Sequence, residues 1–367
     1  MTGRTLVDGA GAVWTDLTIA VPVYSRPDEL RQLLSSIAGM AVLPGEVLLC
    51  EDQSPERQLL SLIALEWQPK LASKGCLLRY VENDENLGYD GNVRNLFARA
   101  TRTWVMLLGN DDAMLPDAIP AIQRFIAENR GIRMVSRTFV RFSMDIGNVV
   151  GVTKLSDCDR VYTRENSRPG MIMRLCGFVG GLIVDREWAC RAATDKYDGT
   201  LYYQMYLAAE AFCTNGIGYI ATPLVGSRAG NAPMFGSASS EKDAHVPGAY
   251  SPKARAAMWS GILRICRDVE RETSVPMSGS IRWELSGKQS FHVFELVAVQ
   301  GRRTTIALVR EFSRLGLMRH PLPWMLSGLA LLMGRHIRYF FGAVRAAQKW
   351  LAEAGGAQRG IEQKNPG

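Results

Sequence analysis

Short apolar runs alternate with amphipathic stretches through the first 135 positions of the chain. Residues 17–23, 46–50, 76–81, 104–108 and 132–135 are rich in Val, Leu, Ile and Met and too short for helices, so they predict buried strands. Between them, 28–37, 56–65, 91–100 and 117–128 space their apolar residues at helical intervals. Strand–helix alternation at this spacing predicts right-handed βαβ units and a mainly parallel, Rossmann-like sheet covered on both faces. Beyond residue 136 the rhythm breaks. Residues 138–154 read as a hairpin turning at 145–148, 178–184 as another buried strand and 200–212 as a helix. Residues 226–252 carry Gly, Ser, Ala and Pro without periodicity and predict a long flexible loop; from 252 onward the pattern is mostly helical. The expected divisions are an extension over 1–16, an α/β half over 17–135, a second half over 136–250 and a helical region over 251–367.

Composition narrows the class. The chain is 47% hydrophobic and 22% charged, which excludes disordered and collagen-like proteins. Its seven cysteines include no Cys-x-x-Cys, and its four histidines are not paired, so structural zinc has no framework and a reducing, cytoplasmic setting is expected. No apolar leader opens the sequence, so no secretory signal is expected.

Net charge is +7, but unevenly placed. Residues 251–367 hold 18 of the 43 Lys and Arg against 8 of the 36 Asp and Glu, whereas the first 250 hold 25 against 28. A near-neutral body thus carries a basic C-terminal region. Within it, the apolar stretch 321–334 falls short of the ~20 residues that span a bilayer. Arg314, Arg319, Arg335, Arg338, Arg345 and Lys349 flank it, with Trp324, Tyr339 and Trp350 as interfacial anchors. This predicts a region resting on an anionic membrane surface; the alternative is a buried helical hairpin with a solvated basic face, or a dimer contact. Aromatic residues are not interleaved with the basic ones as in RNA-binding modules, so no nucleic-acid partner is expected.

In an open parallel sheet, ligands bind beyond the carboxyl ends of the strands. Four successive strands are followed by Tyr24-Ser25-Arg26-Pro27, Glu51-Asp52-Gln53-Ser54, Asn83-Asp84-Glu85-Asn86-Leu87-Gly88 and Gly109-Asn110-Asp111-Asp112. Carboxylates crowded on one edge repel, and a divalent cation with an anionic diphosphate would relieve that repulsion. Neither a Gly-x-Gly-x-x-Gly after the first strand nor a P-loop occurs, which argues against dinucleotide and P-loop nucleotide binding.

These motifs, with Val21-Pro22-Val23-Tyr24 ahead of them and Asn92 closing the third, resemble the family 2 inverting glycosyltransferases of GT-A fold, in the flavour of abequosyltransferases and rhamnosyltransferases of surface-polysaccharide (O-antigen) synthesis. The resemblance covers 17–135 strongly and 136–230 loosely. It implies a nucleotide-sugar donor, Mg²⁺ or Mn²⁺, a glycan acceptor, lipid-linked in such pathways, and a place on the cytoplasmic face of the inner membrane.

Position by position, the resemblance implies that Pro22, Tyr24 and Arg26 line the nucleotide, that Glu51 and Asp52 hold its base, and that Asn86 and Gly88 flank it. Asn110-Asp111-Asp112 stands where the family has Asp-x-Asp: Asp112 would hold the metal, Asp111 the metal or ribose, and Asn110, an amide where an acid is usual, a ribose hydroxyl. Arg228 and Asn231 either reach the diphosphate or are solvated, and His245 either completes the metal shell or is a surface histidine. The base that takes the acceptor proton is sought in the second half, among Asp198, Asp185, Glu187 and Glu210, with Asp198 favoured because it precedes a predicted helix. Each short acidic motif also has a plain reading as a turn or helix cap. The rivals are a sugar nucleotidyltransferase, which needs a Gly-rich basic loop where Tyr24-Ser25-Arg26-Pro27 stands, and a non-catalytic adaptor acting through the basic region.

Overall fold

The computed structural model describes residues 5–8, 10–231, 234–242, 245 and 251–347. Contacts divide the chain into two units, Met1–Ala249 with Ala257–Ile281, and Tyr250–Ala256 with Arg282–Gly367.

The first unit runs β1 (Thr5–Asp8), β2 (Ala10–Val23), α1 (Pro27–Ala38), β3 (Val42–Glu51), α2 (Arg57–Ala72), β4 (Leu77–Glu82), α3 (Gly88–Arg99), β5 (Trp104–Leu107), β6 (Ala113–Met114) and α4 (Ala118–Glu128). It continues with β7 (Met134–Phe142), β8 (Val149–Thr153), β9 (Arg160–Tyr162), α5 (Met171–Cys176), β10 (Leu182–Asp185), α6 (Arg186–Arg191), α7 (Tyr203–Thr214), β11 (Ile217–Arg228) and most of α8 (Pro252–Thr273). The helices follow from their residues. In α1, Pro27 supplies a preset φ at the first turn, and Leu30, Leu33, Leu34 and Ile37 form one buried stripe against the sheet.

One mixed sheet has the order β4-β3-β2-β5-β10-β7-β11-β6. β4, β3, β2 and β5 are mutually parallel. The order reverses between β2 and β5, so the crevice beyond their carboxyl ends is the switch point where such sheets bind ligands. β10 lies antiparallel between β5 and β7. Its amino-terminal turn, at Gly180–Gly181, therefore meets the carboxyl ends of its neighbours. β7 and β11 are parallel, which carries Arg228 to the same edge.

Several sequence expectations change here. Of the extension expected over 1–16, residues 5–8 and 10–16 belong to the sheet, since β1 pairs antiparallel with β2 and β2 begins at Ala10. The last strand of the parallel series is not hydrogen-bonded to β5, because β10 intervenes; a short all-apolar run reveals burial but not direction. The strand expected over 178–184 begins only at Leu182, after Gly181 turns the chain at φ 88°. Part of the loop over 226–252 is the end of β11. The charge boundary at 251 is not the contact boundary near 281. Trp259, Ile262, Leu263, Cys266 and Val269 of α8 are buried, and Asp268 takes Lys196 at 3.0 Å, so this helix packs with the α/β unit. All seven cysteines are free, with Cys50 and Cys176 buried as expected.

The second unit holds the end of α9 (Ser278–Glu284), then α10 (Ser290–Ala298), α11 (Arg302–Arg314) and α12 (Pro321–Met333). Phe294 and Phe312 meet edge-to-face at 5.8 Å in its core, with Leu308, Leu326 and Ala330 buried around them.

Candidate active site

At the switch point, the turn after β2 and the turn after β5 lock together. Asn110 donates to the Ser25 carbonyl at 2.9 Å. The Arg26 guanidinium binds the Asp111 carboxylate at 2.5 Å, and the Asn231 amide reaches the same oxygen at 2.7 Å. Arg228, stacked on Phe142 at 4.7 Å, donates to the Asp111 carbonyl at 3.2 Å and to Gln32 at 2.5 Å. Ser25 and Arg26 hold left-handed φ of 56° and 63°, uncommon for residues with a side chain, so this turn is held by its surroundings.

Asp112 lies beneath this pair, 4% exposed. Its Oδ2 accepts from the Gly109 N–H at 3.2 Å, and the Arg228 N–H also faces the carboxylate. Burial, then the Asp111 charge beside it, pushes the Asp112 carboxyl up to about 8. Glycines at 109 and 180 make the room: a Cβ on Gly109 would stand 2.8 Å from Oδ2, and one on Gly180 closer still. Behind Gly180–Gly181 sits Arg137, 3% exposed, bonded to the Gly180 and Phe178 carbonyls and flanked by Phe139 and Phe178. Burial pulls its pKa down to about 10, and its Nε has no hydrogen-bond partner among the described residues.

A second polar group forms beyond β3 and β4. Asp52 accepts from Asn83 at 2.8 Å and from the Leu87 N–H at 2.9 Å, and burial pushes its carboxyl up to about 6. Asn86 accepts from the Gly88 N–H at 3.0 Å. Asp90 accepts from the Leu201 and Tyr203 N–H groups, both at 2.8 Å, and burial raises it to about 7. Glu241 comes from far along the chain to accept from the Tyr89 N–H at 2.7 Å and the Gly236 N–H at 2.8 Å. Gly88, at φ 71°, leaves space for it: a Cβ there would lie 2.7 Å from Glu241 Oε1.

Of the residues expected from sequence, the structure brings Arg26, Asn110, Asp111, Asp112, Arg228 and Asn231 together at the β2/β5 crevice, beside the intermediate-exposed Pro22 and Tyr24. Asp52, Asn86 and Gly88 gather at the start of α3. Other expectations are corrected. Glu51 is fully buried and braces its own turn, accepting from Ser54 N–H, Gln53 N–H and Arg57; the basic partner six residues on was the signal. Asn110 directs its amide nitrogen to backbone carbonyls. Asp185 pairs with Arg133 and caps α6, opposite Trp104 at the start of β5, hence at the far edge of the sheet. Glu187 follows it there, bound to Arg191. Glu210 lies about two turns along α7 from Tyr203. Asp198 stays near the α3 group, with both oxygens held by Arg94. His245 is no surface histidine, being 5% exposed, and its N–H bonds the Glu241 carbonyl at 3.0 Å. Among the described residues, no three His, Cys, Asp or Glu side chains gather into a metal cluster, so His245 does not join Asp111 and Asp112. The sequence reading missed Arg137, Asp90 and Glu241.

Asp111 and Asp112 nevertheless suit a hard divalent cation. Mg²⁺ typically needs one or two carboxylates beside substrate phosphates, and burial with the Asp111 charge keeps the Asp112 carboxyl raised to about 8 although the Arg137 guanidinium acts in the opposite sense. A mixed, mostly parallel sheet of this strand order, followed by a helical region, is a GT-A-like α/β fold. Residues 18–151 match Glycosyl transferase family 2. Abequosyltransferase RfbV of Salmonella typhimurium (strain LT2) is 24% identical over 227 residues, 59% of this chain and 67% of that protein. An uncharacterized glycosyltransferase of Haemophilus influenzae (strain Rd) is 27% identical over 120 residues, 32% of this chain and 37% of that one. In fold, the chain is similar to S. aureus TarS 1–349 in complex with UDP, with a TM-score of 0.56 at 13% identity over 89% of this chain and 91% of that chain. The TarS complex with UDP-GlcNAc gives 0.55 at 14% identity over 89% and 92%. Residues 18–151 thus carry a glycosyl transferase family 2 domain, which together with the similar proteins supports transferase activity.

Proposed function

We propose that this glycosyltransferase is metal-dependent and inverting, moving a sugar from a nucleotide-sugar donor to a hydroxyl of a lipid-linked glycan during cell-surface polysaccharide synthesis, on the cytoplasmic face of the inner membrane. The names of two similar proteins support the class of reaction: one is an abequosyltransferase, and TarS was captured with UDP and UDP-GlcNAc. The observation that carries the reading is Asp112, an acidic side chain buried against Asp111 at the switch point of the sheet, where burial and its neighbour's charge push its pKa up.

In this reading Asp112, helped by Asp111, holds Mg²⁺ or Mn²⁺. The ion, when bound, supplies positive charge for the diphosphate that leaves. Arg26 and Arg228 fix Asp111 from its side chain and its backbone. Pro22, Tyr24 and Arg26 line the nucleoside side of the crevice, with Asp52, Asn86 and Gly88 beyond. Asp198 takes the proton of the acceptor hydroxyl as that oxygen forms the new bond to the anomeric carbon. To do so it first exchanges its hold on Arg94.

The test is thermal melting against UDP, GDP, CDP and dTDP, each with and without Mn²⁺. A ligand at 100 times its Kd stabilises by ~2.7 kcal/mol. One nucleotide should shift the melt only with metal, and Asp112→Ala should abolish that shift. A shift that survives the substitution sinks the assignment of Asp112.

A further inference from the structure

The second unit carries a cavity of ≈540 Å³ lined by Gln300, Arg302, Arg303, Arg335 and His336 around Gly301 and Gly334. Two glycine turns build it. Gly301 sits at φ 122° and Gly334 at φ 56°, and the arginine that follows each turn reaches over the other. A Cβ on Gly301 would lie 3.8 Å from Arg335 Nε, and one on Gly334 3.6 Å from Arg302 Nε. Arg302 is anchored by the Leu331 and Leu332 carbonyls at 2.7 and 3.0 Å, so part of its donor set is already fixed in direction.

Three guanidiniums converge here without a carboxylate. Glu295 pairs with Arg345 and Glu311 with Arg314, and among the described residues no acidic side chain pairs with Arg302, Arg303 or Arg335. Like charges gathered in one concavity repel, and planar N–H forks match phosphate oxygens. The missing component is an anion with several oxygens.

The neighbouring surface identifies the kind of molecule that brings it. Trp324 and Leu331, and Met325 and Leu332, are each seven residues apart, so they form one face of α12. All four are exposed, Leu332 at 78%. That face runs into the cavity at Leu331–Met333, where the Arg302 guanidinium grips the end of the helix. No described helix is long and apolar enough to cross a membrane, and α12 alone is about 20 Å long. A short helix with bare apolar side chains ending at a basic cavity fits a membrane surface, hydrocarbon on one side and phosphate at the end.

We propose that Arg302, Arg303, Arg335 and His336 form a receptor for the phosphate of an anionic lipid headgroup, with the acyl region lying along the Trp324, Met325, Leu331 and Leu332 face of α12. This deepens the proposed function by naming the partner of the second unit. Its readout, vesicle binding, is separate from nucleotide binding, so either can fail alone.

The experiment is co-sedimentation of the full chain with vesicles of phosphatidylcholine alone and of phosphatidylcholine with phosphatidylglycerol. Binding is expected only to the anionic vesicles. Replacing Arg302, Arg303 and Arg335 together by Gln should weaken it about a hundredfold, each basic residue near the surface contributing roughly fivefold. The same loss of charge at Lys70, Arg124 and Arg168, on the first unit, should leave it nearly unchanged. Leu332→Glu, on a side chain too exposed to threaten folding, should also weaken vesicle binding while leaving the nucleotide-dependent melt alone. Equal loss in the Lys70/Arg124/Arg168 variant would mean diffuse charge attraction and overturn the site. Binding of inorganic diphosphate with no vesicle binding would make it a soluble phosphate site and overturn the lipid. Self-association through α12, seen by sedimentation without lipid and abolished by Leu332→Glu, would overturn it in favour of a second copy of the chain.

Discussion

The Asp112 carboxylate occupies the space that a side chain on Gly180 would take, so a single methyl group there would overlap Oδ2. The fit follows from topology. Antiparallel β10 brings its amino-terminal turn to the edge where β5 delivers its carboxyl end, and only a residue without Cβ lets the two meet. Gly180→Ala should therefore push Asp112 off the Gly109 N–H. Overpacking of this kind costs about 1–3 kcal/mol. A lower melting temperature is expected, together with loss of the Mn²⁺-dependent nucleotide shift. A variant that melts lower yet keeps the full shift would show that the Asp112 position is not critical.

Asp112 also sets a pH dependence. In the unfolded chain an Asp titrates near 3.9, whereas here burial and Asp111 raise it to about 8. Between those values the folded state holds a proton that the unfolded state has lost, so stability falls as pH rises from about 4 to about 8. Asp52, at about 6, and Asp90, at about 7, act in the same direction over narrower ranges. Asp112→Asn removes the largest part of this slope. The variant should melt above the parent at pH 8.5, by about 2–4 °C for each kcal/mol, and with it below pH 4. Mn²⁺ with the matching nucleotide should restore the parent at high pH and leave the variant unmoved. A variant whose melting curve parallels the parent at every pH would contradict the buried-charge account.

The crevice was legible where its parts are local. Tyr24 to Arg26 and Asn110 to Asp112 follow short apolar runs directly, and parallel strands must deliver such turns to one edge. What escaped the sequence reading depends on pairs far apart in the chain. Gly180 meets Asp112 only because β10 is antiparallel, and nothing within the run at 182–185 encodes that direction. Arg137 falls between the strand expected over 132–135 and the hairpin expected over 138–154, yet the structure buries it behind Gly180–Gly181. Glu241 caps Tyr89 across 152 residues from a stretch without periodicity. Glu51 misled because it adjoins Asp52. Neighbours at a strand end point to opposite faces, and here one carboxylate enters its own turn while the other meets α3.

Arg26 tests whether Asp111 shares in binding. Its guanidinium holds the Asp111 carboxylate from a backbone conformation that glycine prefers, so Arg26→Ala removes the clamp without filling any space. Charge-assisted hydrogen bonds are worth about 1.5–3 kcal/mol. Titration calorimetry of the matching nucleoside diphosphate with Mn²⁺ should show Kd raised by tens to about a hundredfold. Arg26→Lys should recover only part of this, because an ammonium cannot reproduce the planar fork. Unchanged affinity in Arg26→Ala would place the nucleotide elsewhere along the edge.

Asp198 is the remaining candidate for the base, and its geometry makes a two-part prediction. Asp185 and Glu187 lie at the far edge of the sheet, and Glu210 is two turns along α7, which leaves Asp198 as the expected carboxylate nearest the α3 group. General-base catalysis contributes about 10²–10⁴-fold. Asp198→Asn keeps the shape and a hydrogen bond to Arg94 but cannot take a proton, so kcat should fall within that range. The metal-dependent melting shift with nucleotide should persist, since Asp111 and Asp112 are untouched. Arg94→Gln separates base from brace. If Asp198 only anchors Arg94 to hold the turn before α7, both variants should lower the melting temperature alike and lose activity in proportion. If Asp198 takes the proton, Arg94→Gln should retain much of kcat and alter its pH profile, while Asp198→Asn loses about 10²–10⁴-fold in kcat in a protein that still binds its donor.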